Sequence, residues 1–392
     1  MKKFKIVLFL LIFSLSLSAQ KINVAHTRLS ILTCGPGDEL YSLFGHTAIR
    51  IFDSTTNVDV VYNWGGFTFD QPNFYLRFIR GTLIYYSTED YFNDFMSEYV
   101  EDHRSVYEQV LNLDSIAKEK IIDAVIFNST GDNKFYIYDG YSDNCTTRIK
   151  NIVYNNLENA NITTNIIPDG TTKRDLMHYY LENGSQLWSE LGLDIIVGSE
   201  IDKEISNDEA MYVPEFFMKG LNNTVYKSAP LVKGFKPILK GDDLQKPSWK
   251  YLPLVITSAI CLLIFLISTL KANWSNSVIR FVDALLLYIT GLLGILILIM
   301  WFATDHIECK NNYNLIWALP FNLPVAFFLF KKPAWLSNYF FIASVITAVF
   351  LATWFWLPQQ INIALLPVVI LLLNRYVHLA NKFRRLHNEK SY

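Results

Sequence analysis

Two stretches of the chain place a cysteine and a histidine in contexts that suit nucleophilic catalysis. Cys145 follows a polar run at 142–144 made of good helix N-caps, and apolar residues follow it with helical spacing. The thiol is therefore predicted in the first turn of a helix, where free backbone N–H groups and the helix dipole favour a thiolate. His46 stands near the start of an alternating stretch, 44–52, that predicts a β-strand. This arrangement is typical of a cysteine nucleophile and its general base.

A catalytic imidazole also needs a polar group that fixes its tautomer and orientation. The strand after His46 is predicted to form a hairpin with a second β-rich stretch that ends at Trp64. A loop over Asp53–Thr56 would place Asn63 opposite His46, whereas a loop one residue longer would place Trp64 there. Asn63 is the predicted third catalytic residue in the first register. Asp59 is the alternative, because alternation puts it on the same strand face.

The cysteines leave other interpretations open. Cys34 and Cys145 are the two cysteines of the polar N-terminal region, and an oxidising compartment would allow a disulfide between them. A small buried hydrophobic role is a further alternative for Cys145. The turn at Gly35–Gly37 makes Cys34 less suited to be a nucleophile, because it disfavours an immediate helix. The spacing of the four cysteines fits neither a zinc nor an iron–sulfur site, and we expect no metal and no cofactor.

Composition places part of the chain in a membrane. Apolar residues make up 51% and charged residues 18% of the 392 residues, whereas soluble domains carry about 25% charged residues. A cytosolic enzyme is therefore excluded, and the net charge of −2 argues against nucleic-acid binding. Five predicted spans follow from apolar runs of adequate length, namely Tyr251–Leu270, Ala284–Phe302, Leu315–Phe330, Ala334–Leu357 and Ile361–Ala380. Pro320 and Pro324 indicate a kinked or re-entrant third element.

Domain order follows from these runs and from the start of the chain. Residues 1–19 have the basic start, apolar core and small-residue exit of a secretory signal peptide, with an uncleaved anchor as the alternative. Residues 20–249 form the predicted exported domain, residues 250–380 the membrane domain, and residues 381–392 a basic cytoplasmic tail. Five spans with the N-terminal domain outside put the basic loop residues on the cytoplasmic side. These residues are Lys271, Arg280, Lys331, Lys332, Arg375, Lys382, Arg384, Arg385 and Lys390.

Three further features have both a structural and a functional interpretation. The aromatic-rich segment Phe67–Phe95 is either core packing or an apolar groove for an acyl chain. Leu231–Lys250 is predicted to be the linker into the membrane. The remaining histidines of the exported domain, His26, His103 and His178, lie in polar contexts that predict surface positions.

Several motifs resemble those of a known family. They are Leu32-Thr-Cys-Gly-Pro-Gly-Asp-Glu-Leu-Tyr-Ser-Leu-Phe-Gly-His-Thr-Ala-Ile-Arg50, Tyr62-Asn-Trp-Gly-Gly66, Asn73-Phe-Tyr75 and Asp143-Asn-Cys-Thr-Thr-Arg148. Over about residues 25–230 the chain resembles the N-terminal periplasmic domain of Lnb, the lipoprotein N-acyltransferase family of Bacteroides-type bacteria. The layout of the membrane part is also similar. More distantly, a histidine that precedes an Asn-Cys helix is similar to circularly permuted NlpC/P60 and lecithin:retinol-acyltransferase-like papain folds.

The resemblance implies an α+β, papain-like periplasmic domain followed by an α-helical membrane domain of about five spans in the inner membrane. It implies that Cys145 takes an acyl chain from a phospholipid as a thioester, with His46 as base. The acyl chain would pass to the α-amine of the lipidated N-terminal cysteine of a diacylated lipoprotein. Predicted substrate-binding residues are Asn144, Arg148, Tyr62, Asn73, His306, Asn312 and Asn314. For His306, Asn312 and Asn314, which lie in a loop between spans, loop packing is the alternative to a head-group contact.

Two other classes of function remain open. One is a cell-wall peptidase or amidase built on the same thiol fold, which would need no membrane domain of several spans. The other is a non-catalytic, membrane-anchored assembly factor in which Cys34 and Cys145 form a disulfide.

Overall fold

The computed structural model describes residues 24–162, 164–241, 249–270 and 272–388. The predicted signal segment, residues 1–19, lies outside this part of the chain. The strands are β1 (Thr27–Cys34), β2 (His46–Asp53), β3 (Val58–Gly66), β4 (Ile84–Tyr91), β5 (Val106–Leu111), β6 (Phe135–Ile137), β7 (Asn161–Ile162), β8 (Thr224–Tyr226), β9 (Ala229–Pro230) and β10 (Val232–Leu239). Seven of them form an antiparallel sheet in the order β10-β5-β1-β2-β3-β4-β6, and β7, β8 and β9 form a second, small sheet.

The α-helices fall into a shorter N-terminal set and a longer, apolar C-terminal set. They are α1 (Phe74–Arg80), α2 (Phe92–Glu101), α3 (Ser115–Ser129), α4 (Cys145–Tyr154), α5 (Lys173–Asn183), α6 (Leu187–Ile196), α7 (Asn207–Ala210), α8 (Pro214–Asn222), α9 (Leu252–Thr269), α10 (Asn273–Phe302), α11 (Asn322–Phe328), α12 (Leu336–Thr353) and α13 (Leu366–Asn388). The prediction of an α+β region followed by an α-helical region is confirmed.

The large sheet carries helices on both faces because its strands alternate apolar residues to both sides. On one face, Ile31, Ile49 and Trp64 pack against residues of α3, α4 and α8. On the other face, Ala48 and Val61 lie in a separate cluster with residues of α2. The helix that begins at Cys145 is therefore held directly against the central strands.

The β2–β3 hairpin has neither of the two predicted registers. Asp53 pairs with Val58 and Ala48 pairs with Asn63. The chain turns over residues 54–57, and Asn57 adopts a left-handed backbone conformation with φ 56°. The strand pairing that we predicted for Asn63 is wrong, because the turn begins one residue later than expected.

Part of the predicted linker is also strand. Residues 232–239 form β10, which pairs with β5 and closes one edge of the large sheet. Pro237 is tolerated there because an edge strand has N–H groups that need no ladder partner. The linker prediction over 231–250 is therefore wrong for this stretch, and residues 242–248 lie outside the described chain.

Four helical segments are long and apolar enough to cross a membrane, by length and composition. They are Leu252–Thr269, Asn273–Phe302, Leu336–Trp356 and Ile363–Asn388. The last one continues through most of the predicted cytoplasmic tail. The predicted third span is not one helix: a 3-10 turn at Tyr313–Ile316 is followed by the seven-residue α11. The break at Pro320 agrees with the kinked or re-entrant element that the prolines indicate.

The segment 313–328, which contains the 3-10 turn and α11 and is called the broken segment below, runs along the bundle of long apolar helices. At one end, the Tyr313 N–H donates to Gln359 Oε1 at 2.6 Å. Further along, the Asn322 amide donates to the hydroxyls of Thr290 (2.9 Å) and Tyr376 (2.7 Å). Beyond it, at the start of α12, the Ser337 hydroxyl donates to the Ala380 carbonyl at 3.1 Å, near the other end of α13.

Candidate active site

The start of β2 and the start of α4 place the two candidate catalytic side chains at one end of the sheet. Gly45 precedes His46 with φ +84°, and a Cβ there would lie 2.6 Å from the Cys34 carbonyl oxygen. Only glycine fits this turn, which brings His46 into the first position of β2. At α4, the Asn144 carbonyl Oδ1 accepts from the backbone N–H groups of Thr146 and Thr147, each at 2.9 Å. The predicted N-cap is confirmed, and it fixes Cys145 as the first helical residue.

His46 and Cys145 form a coupled pair. Burial is the largest influence on the thiol and opposes its ionisation. It is outweighed by the positive charge of His46, a hydrogen bond with His46, the Thr47 N–H and the Thr146 hydroxyl, which together lower the Cys145 pKa to about 7. Burial alone would lower the pKa of His46, but the charge of Cys145 and its hydrogen bond raise it. The arrangement therefore favours a thiolate beside an imidazolium near neutral pH.

Gly65 leaves space beside this pair. Its φ is +120°, and a Cβ placed there would lie 3.8 Å from His46 Cε1 and 3.9 Å from Cys145 Cβ. Both groups therefore border the same small volume next to the β3 backbone. A side chain at this position would occupy that volume, so glycine keeps the approach to the pair free.

Two donors are suited to stabilise an oxyanion on a carbonyl attacked by Cys145. Among the described hydrogen bonds, none uses the Cys145 N–H, whereas the N–H groups of Thr146, Thr147 and Arg148 all have partners. The second donor is the Tyr136 hydroxyl. It is buried, and no described residue forms a hydrogen bond with it. Burial raises the Tyr136 pKa and the charge of Cys145 adds to the shift, so the hydroxyl stays protonated, and its side chain belongs to the same buried cluster as Cys145.

Sequence reasoning missed Tyr136, since it sits in a short aromatic strand with no motif around it. The alternation of β6 indicates that Tyr136 points to one sheet face, but only the packing of α4 on that face brings it to Cys145. Tyr138 was missed for the same reason. Its pKa is raised by burial and by the charge of Cys145.

The two predicted third residues have other partners. The Asn63 amide donates to Thr88 Oγ1 at 2.8 Å and to Asp90 Oδ2 at 3.1 Å. Asp59 accepts two hydrogen bonds from Arg50, at 2.7 and 2.5 Å. Neither is brought to His46 by these contacts. The hydrogen-bond partner described for the imidazole is Cys145.

The predicted substrate-binding residues near the pair are mostly structural. Both Asn144 amide hydrogens are used, by the carbonyls of Gly140 (2.8 Å) and Tyr212 (3.0 Å), which corrects the expectation that this amide contacts substrate. Arg148 forms a bidentate ion pair with Asp143, at 2.5 and 2.7 Å. Its guanidinium also lies 4.0 Å from the ring centroid of Tyr136.

Tyr62 and Asn73 lie further out. Burial and the Glu89 carboxylate raise the pKa of Tyr62 to about 12, and its ring packs against the core that contains α4. Asn73 is exposed and precedes α1 in a left-handed conformation with φ 57°. Its side chain makes no capping hydrogen bond to α1.

Cys34 is a neighbour of the pair and not a disulfide partner. Both Cys34 and Cys145 are free thiols. Cys34 lies directly across from His46 in the β1–β2 pairing. Burial raises its pKa to about 12, so it stays protonated where Cys145 ionises. The disulfide alternative is thereby corrected. A cavity of about 270 Å³ borders this side and is lined in part by Cys34, Phe44 and Met218.

Asn312 and Asn314 join the two parts of the chain. The Asn312 amide donates to the carbonyls of Ile195 and Ile196, both at 2.8 Å, and the Asn314 amide donates to the Asp194 carbonyl at 2.8 Å. These are the last carbonyls of α6, which would otherwise lack partners. Both asparagines are almost fully buried, at 1% and 0% exposure. The expected head-group contact is corrected to domain packing.

Both ring nitrogens of His306 have partners within the protein. Its Nδ1 lies 2.8 Å from Glu308 Oε1 and its Nε2 lies 3.2 Å from the Phe78 carbonyl oxygen. Both partners are acceptors, so both ring nitrogens must donate. The hydrogen bond to Glu308, followed by its charge and the Phe78 carbonyl, raises the His306 pKa in agreement with a charged ring.

His178 lies in a cluster of ionisable side chains at the boundary between the α+β region and the apolar helices. His178 Nε2 contacts both Asp194 oxygens, at 2.9 and 3.0 Å, which corrects the predicted surface position of His178. With Glu190 these groups lie within 4.8 Å of one another, close enough to share a cation. However, Arg174 and Asn362 also bind the Asp194 carboxylate. We interpret the cluster as an ion network that joins the domains.

The cavity beside this network measures about 610 Å³, and neither Cys145 nor His46 lines it. It lies between α5, α6 and the loop that follows α12. The Cys145–His46 pair is therefore separate from this interdomain cavity.

Comparison with known families supports the division seen in the structure. The Lnb N-terminal periplasmic domain matches residues 16–177, a range that contains both His46 and Cys145. The Lnb transmembrane domain matches residues 245–385. No curated protein and no solved structure is detectably similar. Both domain families of Lnb match this chain in order: the periplasmic domain, which contains Cys145 and His46, and the transmembrane domain that follows it in the sequence. The chain is therefore an Lnb-type protein of the membrane.

Proposed function

We propose that the protein is a lipoprotein N-acyltransferase that works through a thioester on Cys145. The observation that carries the proposal is the buried Cys145 thiol beside the partly buried His46, in a domain fixed to apolar helices. Lnb-type membership connects the protein to lipoprotein maturation. A thiolate at neutral pH supplies the nucleophile, and the adjoining helices would give access to lipid.

In the first half-reaction, the Cys145 thiolate attacks an ester carbonyl of a phospholipid. The Cys145 N–H and the Tyr136 hydroxyl donate to the oxyanion, and one such donor lowers the barrier by roughly 3 kcal/mol. The C–O bond then breaks, and the His46 imidazolium gives its proton to the departing glycerol oxygen. The products are a lysophospholipid and an acyl thioester on Cys145, with His46 neutral.

In the second half-reaction, the α-amine of a diacylated lipoprotein attacks the thioester carbonyl. Neutral His46 takes the amine proton, and the C–S bond breaks to restore the thiolate. The amide product is a triacylated lipoprotein. The enzyme returns to its starting thiolate–imidazolium state, so atoms and protons balance without a cofactor.

Five crossings of the membrane remain our proposed topology. The broken segment starts beside the α6 end of the periplasmic domain and leads into α12, whose first turn contacts Ala380. This path supports a crossing by the segment that contains α11, in addition to the four long helices. The basic residues between and after the spans would then face the cytoplasm, and the periplasmic domain would lie outside the inner membrane.

A permuted papain-like fold is the corresponding proposal for the periplasmic domain. A histidine strand that precedes a cysteine helix, with the helix packed on an antiparallel sheet, supports this assignment. The same fold also accommodates hydrolysis of peptides or amides. We prefer acyl transfer because Asn312, Asn314 and Gln359 fix the domain to the membrane helices.

The test is mass spectrometry of lipoprotein N-termini in a strain depleted of its own N-acyltransferase. The strain carries the wild type, Cys145→Ser or Cys34→Ser. We expect N-acylation with the wild type and with Cys34→Ser, and none with Cys145→Ser. If no variant restores the acyl chain although all are present in the membrane, the proposal is wrong. A thiol hydrolase would then be the function to test.

A further inference from the structure

Helix α1 presents an apolar surface that the rest of the described chain leaves uncovered. Tyr75, Leu76, Phe78 and Ile79 are 76%, 56%, 58% and 45% exposed. A seven-residue helix with this many exposed apolar side chains is unusual on a soluble surface, where such patches mark interaction sites. The surface therefore needs a partner.

The position of α1 identifies that partner. The Asp305 N–H donates to the Arg80 carbonyl at 3.0 Å, and His306 Nε2 lies 3.2 Å from the Phe78 carbonyl oxygen. Asp305 comes three residues after Phe302, where the apolar helix α10 ends. Phe302 itself is 72% exposed. The apolar surface of α1 thus continues the apolar surface of a spanning helix at its periplasmic end.

A row of aromatic rings leads from α1 towards the nucleophile. We call the rings of Phe69, Phe74, Phe67, Tyr85 and Tyr138 the aromatic row. Successive ring centroids are 4.8, 6.1, 5.2 and 4.3 Å apart. Its last two members, Tyr85 and Tyr138, pack against the buried cluster that contains Cys145, so the row leads to the core around the sulfur.

We propose that α1 lies in the outer leaflet of the membrane and that the aromatic row guides a phospholipid acyl chain from there to Cys145. Leu76 and Ile79 would lie among acyl chains, while Arg77 and Arg80 would meet lipid phosphates, as in amphipathic interfacial helices. Tyrosine is favoured at this depth because its ring is apolar and its hydroxyl is wet. The guiding role rests on the proposed acyl transfer, whereas the membrane position of α1 does not.

The position of α1 is tested on the full-length protein in nanodiscs of phosphatidylethanolamine and phosphatidylglycerol. A spin label is attached at Leu76→Cys in a Cys145→Ala background, and Phe127→Cys on exposed α3 is the matched control. We expect the label at residue 76 to be relaxed by oxygen and shielded from a water-soluble nickel chelate. The control should show the reverse. If residue 76 is as accessible to nickel as residue 127, the membrane position is wrong.

The guiding role is tested with Leu76→Glu/Ile79→Glu, and with Ile116→Glu/Phe127→Glu on α3 as control. We expect acylation of Cys145 by nanodisc phospholipid to fall at least tenfold in the first variant only. Alkylation of Cys145 by iodoacetamide should be unchanged in both, which verifies an intact pair. Full acylation by the first variant would overturn the guiding role. A wild type that forms no acyl thioester would instead contradict acyl transfer itself, and the spin labels would still decide the position of α1.

Discussion

The hydroxyls of Thr47 and Thr146 are hydrogen-bonded at 3.0 Å, although 99 residues separate them in the chain. Each threonine directly follows one member of the Cys145–His46 pair. The Thr47 N–H also contributes to the lowered pKa of Cys145, and the Thr146 hydroxyl lies 3.7 Å from the sulfur. The bond therefore fixes the strand that carries His46 to the helix that carries Cys145.

Thr47→Val tests this connection. The substitution keeps the shape of the side chain but removes the bond between strand and helix, and a typical bond of this kind contributes about 0.5–1.5 kcal/mol. We expect thioester formation to slow about tenfold, measured by single-turnover mass spectrometry. Thr47→Ser should restore the rate. Equal rates for valine and serine would mean that this hydrogen bond has no part in positioning the pair.

The pH dependence of Cys145 tests the contribution of His46. With the Cys145 pKa at about 7, alkylation by iodoacetamide should rise with pH through a midpoint near 7, because only the thiolate reacts. In His46→Ala, burial is no longer outweighed, so the midpoint should move to higher pH. Cys34 is protonated over this range and should contribute nothing.

Two controls accompany this measurement. Cys145→Ala should abolish the alkylation near neutral pH, whereas Cys34→Ala should leave it intact. A midpoint that does not move in His46→Ala would show that the imidazole does not stabilise the thiolate.

Tyr136→Phe tests the second oxyanion donor. Loss of one such donor costs about 10²–10³ in kcat, and we expect a fall of about 100-fold in acyl transfer with little change in KM. The pH profile of Cys145 alkylation should keep its shape, because phenylalanine removes the donor and retains the ring. Wild-type kcat in this variant would exclude the hydroxyl from the oxyanion site.

Asn314→Ala tests the attachment of the two domains. It removes the donor to the Asp194 carbonyl and the acceptor of the Trp317 indole N–H, both in buried surroundings. Each buried group left unpaired costs about 1–3 kcal/mol. We expect a lower Tm for the detergent-solubilised protein, measured by tryptophan fluorescence. Asn338→Ala, at an exposed position of α12, is the control and should leave the Tm unchanged.

Local sequence patterns were sufficient to find the two elements that carry the pair, although the strand predicted over 44–52 begins two residues later, at His46. The residues at 142–144 are all good N-caps, so a helix with Cys145 in its first turn could be predicted without tertiary information. The alternation after His46 likewise defined β2. The long apolar runs of α9, α10, α12 and α13 were visible because a span needs about 20 apolar residues.

Contacts between distant parts of the chain were beyond such patterns. The register of β2 and β3 depends on which residue begins the turn. The turn begins one residue later than predicted, so Asn63 pairs with Ala48 and not with His46. The burial of Asn312 and Asn314 depends on α6, more than 100 residues earlier. Tyr136 gains its importance only because α4 packs against the face that it occupies. The role of an amide or a hydroxyl in this protein is decided by packing that its neighbours in sequence do not reveal.

The bond from the Gln359 amide to the Val197 carbonyl links the end of α6 to a residue made 162 positions later. At synthesis rates of about 5–20 residues per second, this interval lasts roughly 10–30 s. During that time the Val197 carbonyl lacks this partner, whereas Asn312 and Asn314, which bind the last α6 carbonyls, are made earlier. The junction between the periplasmic domain and the membrane helices is thus complete only after the residues just before α13 have been made.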